Sequence, residues 1–285
     1  MAIKKVGVVG CGLMGGGITQ VAAQAGLATT VVEANTELLD RGLGAIRRNL
    51  DGLVAKGRLD AEARDAAWGR ITGSVQLDDL READIVIEAI TENVALKKET
   101  FGKLDRICPP HALLASNTSS CTITELAAAT KRPAQVLGLH FFNPAPVMKL
   151  VEVVRTILTG EETVKTAWAF VQALGKTPVA TQDTTGFIVN RLLVPYLLEA
   201  IRLLEAGIAT REDIDQAMKL GCGYPMGPFT LLDLVGLDTT LFVAEVMFDE
   251  FREARFAPPP LLKRMVMAGH RGRKSGKGFY DYSAK

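Results

Sequence analysis

An α/β architecture is what this sequence predicts: a doubly wound sheet over residues 1–184, followed by an all-helical second half over 185–285. Three observations predict it. Short runs rich in valine and isoleucine alternate with helical patterns through the first part of the chain, as parallel strands joined by crossover helices should. A complete G-x-G-x-x-G follows the first of those runs. Beyond Thr184-Thr185-Gly186 the strand pattern stops and helical periodicity takes over.

Composition sets the outer bounds. The 285 residues, 48% apolar and 23% charged, suit a globular chain with a sizeable core in one or two domains. A formal charge of +1 makes no case for nucleic acid or an anionic membrane as partner. The apolar stretches are interrupted well short of the roughly 20 residues of a membrane span. Met1 leads within a few residues into Val6-Gly7-Val8-Val9, which reads as a first strand rather than a signal peptide. Cys11, Cys108, Cys121 and Cys222 show neither CxxC spacing nor a histidine at ligand spacing, so a reducing cytoplasm and no metal site are expected.

Residues 4–9 form the first strand and run into Gly10-Cys11-Gly12-Leu13-Met14-Gly15, then a helix of small residues stopped by Gly26. A second apolar run, 28–32, ends in Glu33, about 20 residues beyond the loop. Strand, glycine loop, helix, strand and acidic residue together are the Rossmann-type fingerprint of a dinucleotide site. Gly10 permits the tight turn, Gly12 lets the backbone approach a pyrophosphate, and Gly15 allows close helix–strand packing. The helix start around Leu13 and Met14 offers free N–H groups and a positive dipole end. Glu33 can accept from both ribose hydroxyls and would repel a 2′-phosphate, which favours NAD over NADP.

Residues 36–68 read as a helical hairpin broken near Lys56-Gly57-Arg58, either a solvated face or a basic arm for a phosphate-bearing substrate tail. Strands resume at 71–74 and 83–90. The second of these ends at Thr91-Glu92-Asn93, on the edge where open α/β sheets bind ligands. A helix over 94–107 carries Lys97 in its first turn. Strand 113–116 leads into Asn117-Thr118-Ser119-Ser120, more small polar residues than one helix cap requires.

Strand 136–142 brings His140 to the same edge, and a second apolar run contains Glu152. Asn143, Pro144 and Pro146 between them predict a stiff turn joining two strands. The imidazole and the carboxylate can then meet in an apolar setting, where the acid fixes the ring's tautomer and makes it a usable acid/base. A core histidine beside an incidental glutamate is the plainer alternative. Of the other histidines, His111 follows Pro109-Pro110 in a turn and His270 sits in a basic tail.

In the second half, 187–207 is apolar almost all round and reads as a deeply buried helix bent at Pro195, with Asn190 in its first turn. Thr210 to Asp213 opens another helix with a T-x-x-D cap. Residues 221–228 read as a rigid Gly/Pro loop, and 229–251 as one long apolar helix. A helical region this apolar predicts a homodimer, with burial of the same surface on the first domain as the alternative. The tail over 273–282, with Lys274, is either a basic loop over an anionic ligand or a solvated end.

These segments, in this order, resemble the L-3-hydroxyacyl-CoA dehydrogenase family, above all its bacterial 3-hydroxybutyryl-CoA dehydrogenases. The resemblance runs from Val6 to Tyr282 and rests on six stretches. They are Gly10 to Gly15, Glu88-Ala89-Ile90-Thr91-Glu92-Asn93, Ala115 to Ser120, His140 to Glu152, Gly186-Phe187-Ile188-Val189-Asn190-Arg191, and Gly227-Pro228-Phe229. It implies a catalytic dyad at His140 and Glu152, with Ser119 bonding the substrate oxygen and Asn190 positioning the substrate. It implies contacts to NAD from Gly10, Gly12, Leu13, Met14, Gly15, Glu33, Glu92, Lys97, Ser119, Asn143 and Lys274. Lys56 matches a basic residue placed against coenzyme A phosphates. The implied reaction is the interconversion of (S)-3-hydroxyacyl-CoA and 3-oxoacyl-CoA. A 3-hydroxyadipyl-CoA dehydrogenase, a sugar-acid dehydrogenase and a crystallin-like structural protein share this fold and are the alternatives.

Overall fold

The computed structural model of the chain describes residues 2–283. It separates into two compact units between Thr184 and Thr185.

In the first unit eight strands form one sheet: β1 (Lys5–Val9), β2 (Ala28–Val32), β3 (Ile71–Ser74), β4 (Ile85–Glu88), β5 (Leu113–Ser116), β6 (Val136–Phe141), β7 (Leu150–Arg155) and β8 (Thr177–Gln182). Their spatial order is β3-β2-β1-β4-β5-β6-β7-β8, and every neighbouring pair is parallel except β6 and β7. The chain therefore winds outward twice from β1, once through β2 and β3 and once through β4, β5 and β6. That reversal leaves a crevice at the carboxyl ends of β1 and β4, where the glycine loop lies.

The connections follow local chemistry. Helix α1 (Leu13–Gln24) leaves the glycine loop directly. The excursion between β2 and β3 is α2 (Thr36–Ala55) and α3 (Ala61–Trp68), separated at Lys56-Gly57-Arg58 where Gly57 takes a φ of +64°. Asn35 and Asp60 cap the two helices through their side chains. Helix α4 (Val94–Ile107), capped by Asn93, joins β4 to β5, and the short α5 (Ile123–Ala127) precedes β6. Helix α6 (Glu161–Ala173) joins β7 to β8.

Strand alternation divides the side chains cleanly. Val6 and Val8, Ile85 and Ile87, Leu113 and Ala115, Leu137 and Leu139, and Val151 and Val153 share one buried cluster with Ile18 and Val21 of α1 and Phe170 of α6. The intervening residues, Glu88, Ser116, His140 and Glu152 among them, belong to the opposite face.

The second unit is helical: α7 (Val189–Glu205), α8 (Arg211–Cys222), α9 (Pro228–Val235), α10 (Leu237–Phe251) and α11 (Pro260–Met267). Val194, Leu197, Leu198, Ile201, Phe229, Leu232, Leu237, Ala244 and Met247 share its core. Three expectations are corrected here. Leu192 on α7 is 71% exposed, so the helix is buried on one side and not all round. The stretch 229–251 is two helices, because Gly236 adopts a φ of +103° that ends α9 and redirects the chain into α10. The Gly/Pro loop begins later than expected, since α8 runs through Cys222 and stops at left-handed Gly223. The T-x-x-D cap forms: Thr210 Oγ1 accepts from the Asp213 amide and donates to its carboxylate.

Candidate active site

The glycine loop is built by close packing on one side and open space on the other. Gly10 has a φ of +96°, and a Cβ there would lie 2.7 Å from the Ala89 carbonyl oxygen. A Cβ on Gly15 would run into the Gly10 carbonyl, so α1 can approach the loop only without a side chain. Gly12 differs: nothing lies within 4 Å of a Cβ placed on it. Gly12 is also the N-cap of α1, supplies no side-chain cap, and is followed by no acidic residue in the first turn. The positive end of a 12-residue helix thus faces space that the fold leaves open. That cradle fits a dinucleotide pyrophosphate, with Gly10, Gly12, Leu13, Met14 and Gly15 as the residues to hold it.

Glu33 follows β2 at the same edge. Its carboxylate accepts the Cys11 amide proton at 2.7 Å and the Ala34 amide proton at 2.7 Å, which ties the acid to the glycine loop. Burial, with the Glu33 charge added, pushes the Cys11 thiol up to about 11.

His140 and Glu152 occupy directly opposed positions on β6 and β7. His140 Nδ1 lies 2.6 Å from Glu152 Oε2, with the imidazole residue 6% and the glutamate 0% exposed. A carboxylate can only accept, so the neutral ring carries its proton on Nδ1 and its lone pair on Nε2. The Phe142 ring packs tilted on the imidazole at 4.5 Å. The connection from β6 to β7 contains a cis Asn143–Pro144 bond, and Lys176 Nζ clasps it by donating to the Ala145 and Met148 carbonyls, each at 2.7 Å. Asn143 is exposed on that connection.

Ser119 lies in the loop leaving β5, the strand beside and parallel to β6, so the loop and His140 share one edge of the sheet. Asn117 joins the two by accepting the Phe141 amide proton at 2.9 Å. Glu92 accepts from Thr118 Oγ1 at 2.9 Å and from the Ser119 amide at 3.3 Å. Lys97, expected from the resemblance as a cofactor contact, is 1% exposed. Its ammonium lies between Glu88 at 2.7 Å and Glu92 at 3.3 Å. Sequence reasoning overlooked Glu88 and Asn117 as site residues. A charged or amide side chain closing an apolar strand was the available signal.

The other expected residues lie elsewhere. Lys56 is exposed at the carboxyl end of α2. Asn190 stands in the first turn of α7, in the second unit, just after Gly186 (φ +81°) and Phe187 (φ +47°). Lys274 sits in a short 3₁₀ turn of that unit with its ammonium 2.6 Å from Asp238. An open depression of about 780 Å³ on the second unit, lined by Thr210, Arg211, His270 and Phe279 among others, contains none of the expected site residues. Among the described residues no cluster of three or more His, Cys, Asp or Glu could hold a metal ion, and no helix is long and apolar enough to cross a membrane.

Comparison with known proteins gives this geometry its context. The family model of the 3-hydroxyacyl-CoA dehydrogenase NAD-binding domain matches residues 5–184, and that of the 3-hydroxyacyl-CoA dehydrogenase C-terminal domain matches 186–282. The chain belongs to the 3-hydroxyacyl-CoA dehydrogenase family. It is 52% identical over 283 residues to a 3-hydroxybutyryl-CoA dehydrogenase of Mycobacterium tuberculosis, covering 99% of each chain. It is 48% identical to a probable 3-hydroxybutyryl-CoA dehydrogenase of Bacillus subtilis, covering 100% of this chain and 99% of the other. The crystal structure of the (S)-3-hydroxybutyryl-CoA dehydrogenase PaaH1 from Ralstonia eutropha superposes with a TM-score of 0.94 at 44% identity, covering 99% of both chains. As a member of this family the chain is an oxidoreductase acting on a CH–OH group, and NAD is the cofactor of its first domain.

Proposed function

We propose that this 3-hydroxyacyl-CoA dehydrogenase interconverts (S)-3-hydroxybutyryl-CoA and acetoacetyl-CoA, with His140 as the acid/base and Glu152 as the group that holds and charges it. The observation that carries the reading is the 2.6 Å contact between His140 Nδ1 and a fully buried Glu152. The four-carbon substrate draws its support from the names of relatives aligned over essentially their whole length.

In the oxidative direction His140 Nε2 takes the proton of the 3-hydroxyl, and in the reductive direction it returns that proton to the 3-oxygen. NAD, when bound, supplies the hydride acceptor for C3. Glu152 keeps the ring in the tautomer that presents a basic Nε2 and stabilises the imidazolium that forms. The Ser119 hydroxyl donates to the substrate oxygen, and Asn190 positions the substrate. Gly10, Gly12, Leu13, Met14 and Gly15 hold the pyrophosphate, Glu33 the adenosine ribose, and Glu92, Lys97, Ser119, Asn143 and Lys274 contribute on the cofactor side. Lys56, exposed beside Gly57 and Arg58, meets the phosphates of coenzyme A. Leu192, Ile208, Leu220 and Met267, exposed apolar side chains of the second unit, support a homodimer built through that unit. A reducing cytoplasm remains the expected location.

The test is a panel of 3-oxoacyl-CoA substrates with NADH, comparing the parent with His140→Gln. Acetoacetyl-CoA should give the highest kcat/KM. His140→Gln should lower kcat by at least about a hundredfold at unchanged NADH affinity. Preference for an adipyl or long-chain substrate would replace the four-carbon assignment, and a fully active His140→Gln would remove the histidine from the mechanism.

A further inference from the structure

Lys176 is a half-buried lysine of the first unit to which the reaction as written gives no part. It stands just before β8, the edge strand beside β7, and the next residue, Thr177, donates its amide to the Lys149 carbonyl at 2.7 Å. From there its ammonium reaches the connection between β6 and β7, donating to the carbonyls of Ala145 and Met148, each at 2.7 Å. Burial lowers its pKa, and among the described residues no carboxylate offsets that effect.

Helix α1 makes a second close contact with the same connection. Ala145 is 2% exposed, and a Cβ placed on Gly17 would stand 3.1 Å from Ala145 Cβ and 3.2 Å from Pro146 Cδ. Glycine weakens a helix interior, and at position 17 it is what lets the connection lie against α1.

A neutral donor would satisfy one buried carbonyl. A charge taken partly out of water to hold two carbonyls, three residues apart, fixes the path of the chain between them. That chain belongs to the site. It starts from the strand of His140 and ends in the strand of Glu152. Its first residues are Phe142, whose ring packs on the imidazole at 4.5 Å, and the exposed Asn143.

We propose that Lys176 is a positioning residue: its ammonium holds the connection over residues 142–149 against α1, and so sets where Asn143 meets the cofactor. The inference rests on the proposed cofactor-side role of Asn143.

The experiment is a double-mutant cycle in the full-length protein. NADH Kd is read by fluorescence titration, kcat and KM with acetoacetyl-CoA, and Tm by thermal melting. The variants are Lys176→Met, Asn143→Ala, their combination, Gly17→Ala, and Gly17→Ala/Asn143→Ala. Lys176→Met should raise NADH Kd and lower kcat by about tenfold, the effect of a misplaced group, with KM for acetoacetyl-CoA within about twofold of the parent. In the Asn143→Ala background it should add nothing to the loss in Kd. Gly17→Ala keeps the ammonium but crowds Ala145 and Pro146, so it should also raise NADH Kd, and that loss too should vanish in the Asn143→Ala background. It carries the test if Lys176→Met fails to fold.

A folded Lys176→Met enzyme with parental Kd and kcat would overturn the proposal, whatever its Tm, because the lysine would then serve stability alone. Losses in Kd that add in full between Lys176→Met and Asn143→Ala, or between Gly17→Ala and Asn143→Ala, would overturn it as well. An Asn143→Ala variant with parental NADH Kd would instead remove the cofactor-side role of Asn143, and the proposal would fall with it.

Discussion

Replacing Glu152 with glutamine separates the charge of the dyad from its shape. The two residues are paired across β6 and β7, and the carboxylate is inaccessible to water, so an isosteric amide should occupy the same space. Its carbonyl oxygen can still accept the Nδ1 proton at the 2.6 Å position. What the amide cannot do is carry the negative charge that faces the imidazolium when the histidine holds the substrate proton. With charge centres about 4 Å apart and an effective dielectric near 20, that attraction is about 4 kcal/mol. At 1.4 kcal/mol per decade it corresponds to about a thousandfold in rate, an upper figure because the amide dipole restores part of it.

Glu152→Gln should therefore lower kcat for acetoacetyl-CoA reduction about 10²- to 10³-fold near neutral pH, with the NADH Kd and Tm of the parent. Steady-state loss of NADH absorbance gives the rate, and thermal melting verifies that the strands still pair. Glu152→Asp provides the converse, since it keeps the charge but withdraws the oxygen by roughly one C–C bond, about 1.5 Å. The direct hydrogen bond is then lost and an intermediate rate is expected. A Glu152→Gln enzyme within about threefold of the parent kcat would refute the electrostatic argument, because a 4 kcal/mol interaction cannot vanish from a buried site without trace.

Four other outcomes follow from the structure. Glu33→Ala removes the acceptor for the Cys11 and Ala34 amides and should weaken NAD binding while narrowing its advantage over NADP; an unchanged ratio of the two affinities would exclude Glu33 from the ribose site. Gly12→Ala should melt like the parent, because its Cβ meets nothing, yet lose NADH affinity, whereas Gly15→Ala should lose Tm because its Cβ meets the Gly10 carbonyl; a Gly12→Ala protein that binds NADH normally would move the pyrophosphate elsewhere. Burial acts to raise the pKa of Asp84, but its bonds to the Lys4 and Lys5 amides and to His111 outweigh that and hold it below its ordinary value. Its stabilisation is thus present above the unfolded pKa and lost as pH falls through the folded one, so the Tm gap between parent and Asp84→Asn should be open at about pH 7 and close towards about pH 2, and a gap independent of pH would contradict the assignment. Lys56→Ala should raise KM for acetoacetyl-CoA far more than for a pantetheine-truncated analogue, and equal effects would make Lys56 a solvated surface residue.

How far sequence reached depended on whether a residue's surroundings are set by its own strand or by another element. The dyad was readable because strand period and a stiff turn are local properties. A histidine near the end of one apolar run and a glutamate inside the next fall opposite one another once Asn143, Pro144 and Pro146 turn the chain back. The glycine loop was readable for the same reason, Gly10 and Gly15 answering nearby backbone requirements and Gly12 leaving open space. The break at Gly236 was not, because a lone glycine in an apolar stretch is compatible with a continuing helix until the positive φ is seen. Nor was the exposure of Leu192, since a helix apolar almost all round does not declare which side its own unit leaves uncovered.

Lys97 shows the same boundary at the site itself. A lysine in the first turn of a helix reads as solvent-facing, and nothing within that turn says otherwise. Its burial comes from Glu88, nine positions earlier and at the end of a different element, and from Glu92 in the connection between them. Yet period two, which paired His140 with Glu152, also applies to Ile85-Val86-Ile87-Glu88 and assigns Glu88 to the face opposite Ile85 and Ile87. A carboxylate closing an apolar strand on that face requires a donor or a cation. The nearest lysine downstream is Lys97, so the demand was present in the sequence, and only the Lys97 ammonium 2.7 Å from Glu88 shows how it is met.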